Sequence, residues 1–115
     1  MNGNNFAPFP HHKLLAYQVA LEFVRLIHAT QLADADSRKH ARSSAGSCAR
    51  NLAEGAGRRS RADKRRCYSI AHGELCESVS CVEVDNALGG CRAEQLHAVH
   101  QLGSRLNAML VRLTQ

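Results

Sequence analysis

Apolar residues return along the chain at intervals of three and four, and no stretch alternates with period two over a useful length. That spacing predicts helices and argues against strands. Four segments follow from it. The first covers about residues 12–30, with Ala16, Ala20, Phe23 and Ile27 on one face and Leu15, Val19 and Leu26 flanking them. The sequence DADS at 34–37 then breaks the pattern and offers a cap near Asp36 or Ser37. The second segment, about 38–54, carries Ala41, Ala45, Cys48, Ala49 and Leu52 on one side and Lys39, Arg42, Gly46 and Arg50 on the other. Its apolar face is made of small residues, which permits close helix approach but contributes little buried area, so this helix needs neighbours to hold it.

The third segment, about 61–88, has Ile70, Ala71, Leu75, Cys81, Val82 and Leu88 on its expected packed side, with Cys67, Val79 and Val84 beside them. Glu74, Glu77, Ser78 and Asp85 intrude on that side. Buried carboxylates require partners, so some are expected to meet arginines or backbone donors of a neighbouring helix. Leu88-Gly89-Gly90 ends the segment. The fourth, about 92–113, shows a stripe of Leu96, Val99, Leu106, Leu110 and Leu113, interrupted by Gly103, which marks either a close contact or a weak spot. Four amphipathic helices on short loops predict an all-α, antiparallel up-down four-helix bundle. Residues 1–11 read as a disordered lead and 12–115 as a single domain.

Between the second and third helices lies NLAEGAGRRSRADKRR, residues 51–66, with two glycines followed by six cations in nine residues. A phosphate loop of the Walker kind needs a preceding strand and a closing G-K-[ST], and neither is present. Gly55 falls where a helix takes a left-handed C-terminal glycine. Ser60 opens S-x-x-D with Asp63, a capping-box spacing with Asp in place of Glu. The stretch reads as a helix–loop–helix joint. Its charge is still unusual, because Arg58, Arg59, Arg61, Lys64, Arg65 and Arg66 crowd a helix start where the macrodipole is already positive.

The 115 residues carry a net charge of +5, spread unevenly. Residues 1–37 sum to −1 and residues 67–115 to −2, while 38–66 hold ten cations against Glu54 and Asp63, for +8. Charge concentrated in this way favours an anionic partner through field focusing and counterion release. The segment lacks aromatic stacking platforms for single strands and any base-reading motif, so binding is expected to follow backbone and shape. The expected carriers are Arg42, Arg50, Arg58, Arg59, Arg61, Lys64, Arg65 and Arg66.

Other chemistries are poorly supported. A di-iron bundle needs two E-x-x-H pairs, and only Glu94 with His97 is present. Cys76 and Cys81 with His72 lack the spacing of a zinc knuckle. Cys67 beside Arg65 and Arg66 could be an activated thiol, but no base or orienting group can be assigned. Glu54 and Glu77 could form an acid–base pair, though structural hydrogen bonds are the better reading. Five cysteines, an odd number inside apolar patterns, read as reduced, buried thiols, which points to the cytoplasm. No apolar run could span a bilayer and the first residues lack a secretory pattern. No enzyme activity, cofactor or metal is expected.

The segments LAYQVA (15–20), NLAEGAGRRSRAD (51–63), SIAHGELCE (69–77) and LG (88–89) resemble, in the same order, the motifs of the bacterial four-helix-bundle proteins encoded in intervening sequences of large-subunit ribosomal RNA genes. The resemblance covers about residues 15–113. It implies a left-handed bundle that assembles into homo-oligomeric rings, typically pentamers, with no established enzymatic activity. More distantly it implies kinship with accessory proteins of diversity-generating retroelements, which are basic and thought to bind nucleic acid and a reverse transcriptase. Asn51, Glu54, Gly55, Gly57, Arg58, Ser60, Ile70, Gly73, Leu75 and Glu77 match the motif. Lys64 and Cys67 depart from it where large apolar residues are usual, Ala41 and Ala49 where Leu or Pro occurs, and Glu74 where Ser occurs. These changes thin the core and add charge.

Taken together, the expected function is non-enzymatic binding of structured RNA or DNA by a homo-oligomer. The alternative is an adaptor whose basic surface docks an acidic protein partner such as a reverse transcriptase.

Overall fold

The computed structural model describes residues 7–115, so most of the expected lead lies outside the described residues. Pro10 and His11, assigned to that lead, open a short 3-10 helix, Pro10–Lys13. Leu14 adopts an extended backbone and separates this turn from α1, Leu15–Ala29. α2 is Ala35–Gly57, α3 is Arg61–Ala87 and α4 is Ala93–Leu113. The described residues contain no strand.

Successive helices run antiparallel, as the pairs across each seam show. Arg42 of α2 reaches the His28 carbonyl at the end of α1. Ser78 of α3 donates to the Ala41 carbonyl of α2 at 2.8 Å. His72 meets Asn107 at 2.6 Å and His100 meets Glu83 at 2.8 Å across α3 and α4. Arg105 of α4 faces Glu22 of α1 at 4.0 Å. The result is an all-α four-helix bundle, with extents of 45 × 36 × 21 Å. Its thinnest dimension is the depth of two packed helices.

The centre is filled by Phe23 and Ile27 from α1, Leu52 from α2, Leu75 and Val82 from α3, and Val99, Leu106 and Leu110 from α4, all fully buried. Each such side chain contributes about 1.5–3 kcal/mol on burial. α2 adds mainly Ala41, Ser44, Ala45, Cys48 and Ala49, and this small face lets α3 pack against it along most of its length. Gly55 belongs to that face. It is buried inside α2 and does not end it, because a Cβ there would stand 2.7 Å from the Tyr68 ring. The left-handed cap expected at Gly55 is thus replaced by a steric requirement. Gly103 is explained in the same way, since a Cβ would approach Val79 to 3.3 Å.

The end of the bundle opposite the joint is organised by Asp85. Its carboxylate is fully buried and accepts from the backbone N–H groups of Ala33 (3.2 Å), Asp34 (2.7 Å) and Cys91 (2.7 Å). One side chain therefore ties the α1–α2 loop to the α3–α4 loop. The partner expected for a buried carboxylate is found, in loops and not on a helix. Asp34 caps α2 by accepting from the Ser37 N–H, two residues before the expected position, and that bond holds its carboxyl below the usual carboxylate range. Gly89, at φ 86°, supplies the left-handed turn after α3.

The packed side of α3 differs from the expected one. Ala71, Leu75, Ser78, Val82 and Asp85 are buried, whereas Ile70, Val84 and Leu88 are exposed. Glu77 is also exposed and Glu74 half-buried. The apolar stripe of α3 is wider than α2 and α4 can cover. No disulfide forms: Cys48, Cys67 and Cys91 are buried, Cys81 is half-buried, and Cys76, against expectation, is exposed beside α4. Burial pushes the Cys48 thiol up to about 12, helped by the nearby charge of Glu74.

Candidate nucleic-acid interface

The joint between α2 and α3 is only Arg58, Arg59 and Ser60. Ser60 caps α3, its hydroxyl accepting from the Asp63 N–H at 3.0 Å, as the capping spacing predicts. So short a joint sets the C-terminal end of α2, with its unpaired carbonyls, beside the N-terminal end of α3. Lys64 exploits this. Its Nζ donates to the Ala56 carbonyl at 2.9 Å, an acceptor at the end of α2, and to the Gly55 carbonyl at 3.4 Å, which also accepts from the Arg58 N–H. Part of the cationic density thus answers an internal need, which the sequence does not reveal because it depends on α2 running on to Gly57. Arg58 is engaged as well, paired with Glu54 one turn back on α2. That guanidinium holds the Glu54 carboxyl below its ordinary range.

Arg59, Arg61, Arg65 and Arg66 are different. All four are exposed, and none has a carboxylate within ion-pair distance among the described residues. Arg66 contacts the Cys67 sulfur at 4.0 Å, and its charge adds to that of Arg58 in holding the Glu54 carboxyl low. They surround the N-terminal turn of α3, so the local field is set by guanidinium groups and helix dipole together. Oriented N–H groups and forked cations at one place suit phosphate oxygens.

Arg42 and Arg50 lie away from this cluster. Arg42 precedes Arg58 by sixteen residues on α2, about 24 Å of helix. It is half-buried on the α1 seam, with Nη2 3.5 Å from the His28 carbonyl and Nε buried without a partner. Arg50 is exposed and folds over Gly46, where a Cβ would stand 2.9 Å from its Nη1. The eight cations expected to act together therefore divide into a cluster of six at the joint, Arg50 on the exposed side of α2, and Arg42 on the α1 seam.

A group of rings lies about forty residues before the cations in sequence, a separation that hides any relation between them. Phe9, His11 and His12 contact one another and Tyr17 contacts His11, with ring centroids 4.6–5.9 Å apart. The turn Pro10–Lys13, which carries His11 and His12 and is preceded by Phe9, packs on α2.

Of the motif residues, Asn51 is half-buried and donates to the Ser47 carbonyl at 2.9 Å. Gly57 and Gly73 have nothing within 4 Å of where a Cβ would stand. The family model of the 23S rRNA-intervening sequence protein matches residues 12–112. The chain belongs to that family. A comparison with curated proteins finds no match. In this family member the motif block N-L-A-E-G-A-G-R-R-S is the C-terminal half of α2 and the cap of α3, so its specificity reflects a close helix joint.

Glu54 and Glu77 do not form a pair. The first is bound to Arg58 and the second is exposed on α3. His72 Nε2 faces both Asn107 Oδ1, at 2.6 Å, and the Cys76 sulfur, at 3.9 Å. A nitrogen that donates to the amide oxygen cannot also take the thiol proton, so this is not a base–nucleophile arrangement. Among the described residues no three His, Cys, Asp or Glu side chains are grouped to hold a metal ion. No described helix is long and apolar enough to cross a membrane.

Proposed function

We propose that this protein is a non-enzymatic, cytoplasmic homo-oligomer that binds RNA or DNA through the basic α2–α3 joint. The observation that carries the reading is the set of exposed arginines, Arg59, Arg61, Arg65 and Arg66, which surround a helix N-terminus with no carboxylate within ion-pair distance among the described residues. Arg50 extends the set along α2. Lys64 and Arg58 contribute to the field while serving the fold. Contacts of this kind go to phosphates and position the ligand without reading bases.

Self-association is supported by α3. Ile70, Cys81, Val84 and Leu88 follow one another along its outer side, interrupted by Glu74 and Glu77. Gly73 lies on the same outer side, mid-helix, where glycine costs about 1 kcal/mol relative to alanine and no neighbour among the described residues requires it. Close approach by a second copy would use that missing side chain. A twofold contact centred on Glu77 would oppose two like charges, so a head-to-tail contact that closes into a ring is favoured. Ring closure multiplies weak phosphate sites into avidity.

Filter binding of an RNA duplex across a salt series tests the main reading. With about five phosphates neutralised per subunit site, log K is expected to fall against log salt with a slope of about −4 to −5. Replacing Arg59, Arg61, Arg65 and Arg66 with serine should flatten that slope. A salt-independent response, or loss by the variant of a nuclease-resistant acidic protein partner that the wild type holds, would overturn it.

A further inference from the structure

Two apolar features of the bundle lie in water on different faces. The first is the outer side of α3, where Ile70 keeps 42% of its surface exposed. The second is a groove of about 250 Å³ between the start of α1 and the end of α4, lined by Leu14, Leu15, Ala16, Met109, Arg112 and Leu113. Leu15 keeps 58% of its surface exposed there. Among the described residues α1 and α3 make no contact with each other, so they occupy opposite corners of the bundle. On α3, Val79 faces α4, and Ile70, nine residues away, stands about half a turn round the helix from it. The stripe of α3 thus points away from α4, and stripe and groove cannot meet within one subunit.

They do lie level along the bundle. His72 and Asn107 touch at 2.6 Å. In this antiparallel pair Ile70, two residues before His72, is level with Met109, two after Asn107. By the same step Glu74 is level with Arg105. The charges are complementary at that height. Among the described residues Glu74 and Glu77 have no cation within ion-pair distance and Arg112 has no carboxylate, while Arg105 meets Glu22 only at 4.0 Å. Resting on the self-association proposed above, we propose that the groove receives Ile70 of a second copy, with Arg105 and Arg112 facing the carboxylates of its Glu74 and Glu77. Gly73, on the same side of α3, lets that helix lie close over the groove. The apolar pair of levels and the charged pair, one helical turn apart in the same direction, set the two copies parallel. Such a contact joins different patches and closes into a ring. Copies joined in this way carry their α2–α3 joints at the same end, so the ring presents its arginines on one rim.

The test uses one variant in each half of the contact, Ile70→Asp in the stripe and Leu15→Asp in the groove. Both positions are exposed, and Leu15 opens α1, where an acidic residue suits the helix dipole. By size exclusion with light scattering, the wild type should form a species of several subunits of 12.6 kDa, and each variant alone should run as one. An equimolar mixture of the two should form a species of two subunits and nothing larger, because one variant keeps its stripe and the other its groove. Arg112→Glu, which alters the charge beside the groove, should weaken assembly, and Glu77→Arg in the same chain should restore part of it. Wild-type assembly by Leu15→Asp or by Arg112→Glu, or a mixture that stays monomeric, would overturn the proposal and leave self-association standing. A wild type that is itself monomeric would remove that broader reading along with this one.

Discussion

Asp85 shows what one buried residue does for two loops. A carboxylate removed from water is costly unless its lone pairs are satisfied, and here three backbone N–H groups from two separate loops satisfy it. Those N–H groups depend on it in turn, since each would be an unpaired donor without it, at about 1–3 kcal/mol. Gly90 belongs to the same arrangement, because a Cβ there would stand against the carboxylate. Asp85→Ala is therefore expected to lose about 3–5 kcal/mol in urea unfolding, a large part of the stability of a domain this size. A loss below about 1 kcal/mol would mean that the loops close without it. The sequence marks Asp85 as anomalous on an apolar face. Only the fold reveals that its partners are loop amides fifty residues upstream and six downstream.

At the scale of helices, the spacing of apolar residues fixed the number of elements and their order. Ser60 and the double glycine placed both ends of α3 closely, since caps are local chemistry. The end of α2 was misplaced for a physical reason. Gly55 serves equally as a helix stop and as a site of close helix contact, and the Tyr68 ring that decides between them is thirteen residues away. The joint was legible as cationic, but the service of Lys64 to the α2 carbonyls follows only from the longer α2. Gly55→Ala tests the assignment. Were Gly55 a plain interior helix position, alanine would stabilise by about 1 kcal/mol. Packed against Tyr68, it should instead destabilise by about 1–3 kcal/mol as α2 and α3 are forced apart. Adding Tyr68→Leu, which makes room, should recover part of that loss. Thermal unfolding of the two single variants and the double variant measures the coupling.

For the whole molecule, the distribution of unsatisfied surface matters more than any single contact. One end of the bundle is closed by Asp85, the other carries unpaired arginines, and the outer side of α3 leaves Ile70, Val84 and Leu88 in water. A chain this small gains by covering such a stripe, and Gly73 distinguishes covering by a second copy from mere exposure. In an isolated subunit nothing within 4 Å would resist a methyl group at that position. Gly73→Ala should therefore raise helix stability by about 1 kcal/mol if the subunit acts alone. If a neighbouring subunit packs closely over Gly73, the same methyl group should weaken assembly. Light scattering after size exclusion would then show a shift toward smaller species, while the dissociated subunit melts at a higher temperature than wild type. Opposite signs in the two measurements are the expected outcome. A variant that is more stable and assembles as before would place the contact on another face, and would leave the exposed α3 stripe without an explanation in self-association.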